Sequence, residues 1–248
     1  AEQNCLQLAK IAAQNGYEVT VLTTDASPDD SILKKEEFIE GIRVFRAKRW
    51  NGYLNLGFYP EMLSELIRIK PDIIHVENGP GFIWHDVLLI IYKLTRPSTK
   101  KYITTPHGPF LATKPNHWLQ SLMKYYFRLI WSRLYHIYIK VNEFQDNWLN
   151  NYGVTAEKIK LLPNGIPEEY IIAEKEFTDP EDEIVITSIG RISPYKRIAD
   201  TIKALEIVKR NYKFDKFRFI VIGQPNPYVD ELEKIADEAG IRNMVEFK

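Results

Sequence analysis

Glu183-Ile-Val-Ile-Thr-Ser-Ile-Gly190-Arg191-Ile-Ser-Pro194-Tyr-Lys196-Arg197 is the stretch on which the reading of this chain turns. The apolar, β-branched run from Glu183 to Gly190 reads as a strand. The glycine ends it, and a helix is expected to start around Pro194, because proline is favoured in a first helical turn. Cations stand in the intervening turn, at the N-terminal end of that helix. Helix N-termini attract anions, and an Arg fork matches phosphate oxygens two at a time. In open α/β sheets ligands bind outside the carboxyl ends of strands. The turn at Gly190 is therefore expected to hold a phosphate or diphosphate. The same residues also read as a solvated basic turn, and the pattern alone leaves both open.

Working outward, strand-like runs recur at 18–24, 41–48, 72–77, 101–106, 136–142, 160–163 and 218–223. Ile73-Ile74 and Phe219-Ile220-Val221-Ile222 are continuous apolar strings, the pattern of strands covered on both faces in a parallel sheet. Helical spacing fills the gaps at 59–70, 82–94, 117–134, 143–151, 194–211 and 227–239; the last carries Val229, Leu232, Ile235, Ala236 and Ala239. This alternation predicts an α/β, doubly wound architecture.

The chain opens on a helix with Leu6, Leu8, Ala9, Ile11 and Ala12 on its apolar stripe, closing at Asn15-Gly16 with glycine as C-cap. A helix feeding the strand at 18–24 implies a strand before it, so a first strand is expected to be missing. Acidic and proline residues crowd Pro167–Asp182 and mark a linker. The expected domains are 1–167, a linker at 168–182, and a partial second domain at 183–248. The chain is expected to be cut at both ends.

The 248 residues carry 33 Lys+Arg and 33 Asp+Glu, a formal net charge of zero. That excludes the overall basic footprint of a nucleic-acid binder. One cysteine, Cys5, excludes an internal disulfide framework and a cysteine-built zinc site, and it suits a reducing compartment. No secretory signal peptide is apparent, and no apolar run approaches the ~20 residues that span a bilayer. Neither metal-ligand spacing nor a G-x-S-x-G nucleophile motif is present.

Four further segments have chemical potential. Thr104-Thr105-Pro106-His107-Gly108 follows a strand; His107 offers a hydrogen bond to a substrate, and Gly108 lets backbone approach a ligand. Asp72-Ile-Ile-His75-Val-Glu77-Asn78 ends in a Gly-rich turn, where Glu77 contacts an acceptor or caps the next helix. Leu162-Pro163-Asn164-Gly165-Ile166-Pro167 reads first as a turn. Gly223-Gln224-Pro225-Asn226-Pro227 lines a strand-to-helix turn. Finally, 117–135 is dense in aromatics (Trp118, Tyr125, Tyr126, Phe127, Trp131, Tyr135), with Ser121, Lys124, Arg128 and Ser132 on one helical face. Both a buried core helix and an interfacial membrane helix look like this.

Taken in order, these segments resemble the retaining glycosyltransferases related to glycogen and sucrose synthases, the group 1 family with the GT-B fold of two Rossmann-like domains. The Asn164-Gly165 and Gly190-Arg191…Lys196 segments form the specific pair. The resemblance implies a retaining hexosyltransferase of carbohydrate biosynthesis, in which a sugar moves from a nucleotide-diphosphate sugar to an acceptor hydroxyl. It implies that Arg191 and Lys196 bind the donor diphosphate and that His107 lies near the donor sugar. Asn164, Gly165, Gly190 and Gly223 would line the donor cleft, with Gly108 beside His107 and Glu77 and Asn78 on the acceptor side. It implies no metal and no cofactor beyond the donor substrate, and no nucleic acid. The acceptor would be a sugar, a lipid-linked group or a polysaccharide. A cytoplasmic location is expected, with contact at the inner face of a membrane through 117–135 left open. Arg197 stands where the family usually has glycine, and Gly223-Gln224-Pro225 replaces a Gly-x-Gly. The family's amino-terminal Gly-Gly loop and its later pair of glutamates are absent from these residues. A related GT-B epimerase or phosphorylase, and a catalytically incomplete fragment with a binding role, stay open.

Overall fold

The computed structural model describes residues 2–25, 33–50, 59–77, 83–95, 99–109, 117–166 and 183–248. The expected linker at 168–182 and Asn78 lie outside the described residues. The chain divides into two compact units, Ala1–Ile171 and Ile172–Lys248.

In the first unit, helix α1 (Glu2–Gln14) closes at Gly16, whose φ of 83° is left-handed and whose N–H donates to the Ala13 carbonyl at 3.0 Å. Strand β1 (Thr20–Thr24) pairs in parallel with β3 (Ile42–Ala47). Between them in sequence lies β2 (Glu36–Ile39), which the sequence reading passed over. It runs antiparallel to β3, with Ile39 opposite Ile42. The turn joining them is Glu40-Gly41, both at positive φ (50° and 82°), a two-residue turn whose twist suits a hairpin. The sheet of this part is therefore mixed, not purely parallel. The signal for β2 was present in Phe38-Ile39-Glu40-Gly41-Ile42, but charged Glu36 and Glu37 interrupt the apolar pattern.

The second sheet of this unit is fully parallel, in the order β4 (Ile73–Glu77), β5 (Lys101–Thr105), β6 (Ile137–Lys140), β7 (Ile159–Leu161). Helices α2 (Glu61–Ile69) and α3 (Ile83–Thr95) connect the early strands. The core is rich in aromatics: Tyr92, Tyr102, Phe127, Trp131, Tyr135 and Tyr138 are buried together with Leu66, Leu89 and Leu149. Trp131 meets Tyr138 edge-on at 4.8 Å between ring centroids, and Phe127 stacks on Tyr152 at 4.2 Å. Polar tips buried in such a core need partners. Asp86 of α3 supplies one set: its carboxylate accepts from the hydroxyls of Tyr126 and Tyr135.

The aromatic segment is not one helix. It runs as α4 (His117–Tyr126), a π-helical turn (Phe127–Trp131) and α5 (Ser132–Leu134). The wider turn adds a residue and rotates the side chains beyond it about the helix axis. Ser132, expected on the polar face with Ser121, Lys124 and Arg128, is consequently buried, its hydroxyl donating to the Arg128 carbonyl at 2.8 Å. Phe127, Trp131 and Tyr135 take the core role. Further on, α6 (Asp146–Asn151) precedes β7.

The second unit holds a parallel sheet in the order β10 (Val245–Phe247), β9 (Phe217–Ile222), β8 (Ile184–Ile189), with α7 (Ile198–Tyr212) and α8 (Tyr228–Glu238). Phe217, Phe219 and Val221 share one face and pack with Ile198, Ile202 and Leu205 of α7 and Leu232 and Ala236 of α8. Both helices thus cover the same face. On the other, Val185, Ile189 and Ile222 are exposed, so among the described residues the Phe219–Ile222 run is covered on one side only. The helix expected from Pro194 is also divided. Pro194–Lys196 is a single 3₁₀ turn, Arg197 is left-handed at φ 55°, and α7 starts at Ile198.

Candidate active site

Two constellations of the sequence-derived residues are built, one in each unit, both at the carboxyl ends of strands.

In the first unit, β4 and β5 are in register so that Glu77 lies opposite Thr105 and His75 opposite Ile103. Two-residue spacing puts His75 and Glu77 on one face of β4. His107, two residues past β5, reaches back: its Nε2 lies 2.8 Å from Glu77 Oε2. A carboxylate only accepts, so Nε2 carries a proton and donates it to Glu77. The other carboxylate oxygen lies 3.1 Å from His75 Nε2, and that nitrogen is 2.7 Å from the Thr105 hydroxyl. Asn4 of α1 adds a longer contact, Nδ2 to Glu77 Oε2 at 3.4 Å.

The Glu77 side chain is 9% exposed. Burial pushes its carboxyl upward, but the hydrogen bond from His107 and the charge of His75 outweigh this and hold it below the usual carboxylate range. Burial lowers His75, against the pull of Glu77. Cys5 is raised by burial and by the Glu77 charge.

The turn carrying His107 is held from beneath. Gln145, buried just before α6, donates from Nε2 to the Pro106 carbonyl at 3.3 Å and accepts from the Val141 N–H at 2.9 Å. Sequence reasoning missed Gln145, since a glutamine in a polar run gives no signal of its own. At Gly108 a Cβ would meet nothing within 4 Å among the described residues.

Asn164 and Gly165 follow β7 in an exposed segment. Gly165 has no positive φ, and no tight turn forms there, a correction to the reading of Asn-Gly as a turn. In the sequence, prolines at 163 and 167 bias the residues before them toward extended backbone, a tendency that competes with a turn.

In the second unit the ends of β8 and β9 touch. The Gly190 N–H donates to the Ile222 carbonyl at 2.9 Å, and Gly190 sits at φ 144°. A Cβ placed on Gly223 would lie 2.1 Å from the Gly190 carbonyl oxygen, so only glycine fits there. Asn226 ties the two turns together: its Nδ2 donates to the Ile192 carbonyl at 3.0 Å, while its Oδ1 accepts from the Tyr228 N–H at the start of α8. The Pro225-Asn226-Pro227 sequence is an Asx-turn signal that sequence reading could have used.

Buried Ile192 anchors the loop, and Arg191 and Lys196 stand exposed on either side. Neither has an acidic partner among the described residues. Arg197 does: its Nε lies 2.5 Å from Asp200 Oδ2. The Ser193 hydroxyl, at the mouth of the 3₁₀ turn, is buried without a hydrogen-bond partner among the described residues. Two cations without an acidic partner among the described residues thus stand on one turn beside closely approaching backbone, an arrangement whose chemistry suits an anion. Among the described residues no group of three or more His, Cys, Asp or Glu could hold a metal ion. No helix there is long and apolar enough to cross a membrane.

Comparison with known proteins gives the family. Residues 1–170 match the family described as Glycosyltransferase Family 4, and residues 171–248 match that described as Glycosyl transferases group 1. The chain is 26% identical over 232 residues to the sulfoquinovosyl transferase SQD2 of Arabidopsis thaliana, covering 89% of this chain and 43% of SQD2. Its fold is similar to that of HepE from Anabaena, solved in complex with UDP and glucose (TM-score 0.63, 17% identity, 98% of this chain and 65% of HepE). It is also similar to sucrose-phosphate synthase from Thermosynechococcus elongatus (TM-score 0.64, 14% identity, 98% of this chain and 63% of that one). The chain thus spans less than two thirds of the length of these relatives. Its strand–helix alternation, its parallel sheets and these matches establish an α/β chain of Rossmann-like units that belongs to the GT-B glycosyltransferases, a Glycosyltransferase Family 4 segment followed by a group 1 segment.

Proposed function

We propose that this chain contributes to a retaining glycosyltransferase that moves a hexosyl group from a nucleotide-diphosphate sugar to an acceptor hydroxyl. The observation that carries the reading is the pair Arg191 and Lys196, exposed and unpaired on the turn after β8, beside a third cation, Arg197, already neutralised by Asp200. Family membership and the UDP bound to HepE support the choice of ligand.

In this reading the C1–O bond of the donor breaks through an oxocarbenium-like state, and negative charge accumulates on the departing diphosphate. Arg191 and Lys196 stabilise that charge as it develops, the part a metal plays in other enzymes. The Ser193 hydroxyl, buried without a hydrogen-bond partner among the described residues, belongs to the same turn. Gly190, where a Cβ would meet nothing within 4 Å among the described residues, keeps the approach to the backbone open, and Gly223 lets the end of β9 pack against the Gly190 carbonyl. In the other unit, Glu77 holds the His107 ring in place through Nε2, beside Gly108. Asn164, Gly165 and Asn78 are assigned to substrate binding on the family resemblance alone, as is attack from the leaving-group face with retention. We read residues 1–167 as the acceptor-side domain, 168–182 as the linker and 183–248 as part of the donor domain, in a cytoplasmic protein of carbohydrate biosynthesis.

The test is Lys196→Ala in a protein form that turns over, with UDP-glucose as the first donor offered. Losing one charge-stabilising donor should lower kcat by roughly 10²–10³-fold, with a much smaller change in nucleotide affinity. Unchanged turnover removes Lys196 from the mechanism. Transfer that needs an acceptor separates this activity from epimerisation, and the anomeric configuration of the product by NMR decides retention.

A further inference from the structure

Between Val87 and Asn142 the chain has nine Lys and Arg residues and no Asp or Glu, although the whole chain is neutral. Charges are thus strongly segregated along the sequence, and the structure gathers part of this run on one surface. Leu122, Tyr125 and Leu129 are spaced three and four residues apart along α4 and the π-helical turn, and they are 55%, 65% and 60% exposed; Ile130 adjoins them at 43%. Lys124 and Arg128 are exposed beside this stripe. Arg133 folds back over the same turn, donating from its guanidinium to the carbonyls of Arg128 (2.7 Å) and Leu129 (2.9 Å).

Lys100 is paired with Asp72 and Lys140 with Asp146, but Lys124, Arg128 and Arg133 have no ion-pair partner among the described residues. The core needs none of these four apolar side chains, because Phe127 and Trp131 on the opposite side of the same segment already fill it. The π-helical turn makes this division possible: it turns Ser132 inward and leaves Leu129 and Ile130 outward.

We propose that the face formed by Leu122, Tyr125, Leu129 and Ile130 with Lys124, Arg128 and Arg133 docks on a lipid bilayer bearing anionic headgroups. An apolar stripe beside lysine and arginine is the pattern of a helix lying in a membrane interface, where the aliphatic and aromatic groups enter the acyl boundary and the cations meet lipid phosphates. A second copy of this chain fits poorly. A two-fold contact would set the same unpaired cations against themselves. A nucleic acid would use the cations and leave the apolar stripe in water.

This inference stands apart from the transferase reading, because binding is measured without donor or acceptor. The chain is floated with vesicles of phosphatidylcholine alone and of phosphatidylcholine mixed in equal parts with phosphatidylglycerol. Binding to the second and not the first is expected, with release at about 1 M salt, where screening shortens to ~3 Å. K124Q/R128Q should weaken binding about 25-fold, at roughly a factor of five for each cation. L122S/L129S should weaken it as well, and both variants should keep the parent melting curve because all four side chains are exposed. Binding to neither vesicle, equal binding to both, or full binding by both variants overturns the proposal. So does a dimer in solution that L122S/L129S dissociates, which would assign the face to self-association.

Discussion

Glu77 shows how one residue organises the chemistry around it. Its two oxygens meet His107 and His75, and its own strand register sets Thr105 opposite. The functional consequence is that His107 Nε2 is held as a donor, because a carboxylate cannot donate. Nitrogen-15 shifts of the His107 ring should report a protonated Nε2 in the parent protein. Glu77→Gln keeps an accepting oxygen and should preserve that state, while Glu77→Ala should give a tautomer mixture. By analogy with partners that orient metal-bound imidazoles, turnover in Glu77→Ala should fall roughly ten- to a hundredfold. A bare Nε2 in the parent would dissolve the pair. His107 and Glu77 were each visible in the sequence as strand-end residues. Their contact was not, because 30 residues separate them and only the parallel pairing of β4 with β5 joins them.

At the scale of elements, the joint between the 3₁₀ turn and α7 explains a departure from the family pattern. Arg197 adopts φ 55°, a conformation that costs an L-residue about 1 kcal/mol or more and costs glycine little. A glycine at this position, usual in the family, suits that geometry. Arg197→Gly should therefore keep stability within about 1 kcal/mol of the parent, on the stabilising side, since the exposed pair with Asp200 contributes little. Arg197→Val, β-branched and poorly suited to positive φ, should cost more than about 1 kcal/mol. Urea denaturation of both variants decides the point. The strand before this joint and the helix after it were legible from periodicity. The break between them was not, because Pro194 fits the first turn of a 3₁₀ and of an α-helix equally well. The π-helical turn at Phe127–Trp131 escaped for a similar reason: its aromatics satisfy helical spacing at both ends, and only packing reveals the extra residue.

At the scale of the folded molecule, the aromatic core of the first unit contains a titratable group. Asp86 is 3% exposed, and burial pushes its carboxyl up to about 6, against the hydrogen bonds from Tyr126 and Tyr135 that favour the charged form. A carboxyl raised above its unfolded value near 3.9 binds its proton more tightly in the folded state, so its contribution to stability is full below about pH 4 and is lost as pH rises through about 6. The change amounts to about 3 kcal/mol across that window. Asp86→Asn, which keeps an acceptor for the tyrosine hydroxyls, should remove that slope. Melting temperatures of parent and variant on either side of the window measure it, and parallel curves would show that Asp86 does not titrate there.

Composition and periodicity by themselves determined the class of this protein. Continuous apolar strands alternating with amphipathic helices leave parallel α/β layers as the economical way to bury both, and the glycine turns at strand ends marked where ligands approach. Tertiary structure alone decided three other features. It made β2 an antiparallel hairpin arm, because the left-handed Glu40-Gly41 turn folds it back on β3. It restricted Gly223 to glycine, because the Gly190 carbonyl lies where a side chain would begin. It also divided the aromatic segment into a buried and an exposed side. Periodicity reports only the spacing of apolar residues along one element, and which side is covered depends on what the rest of the chain brings against it.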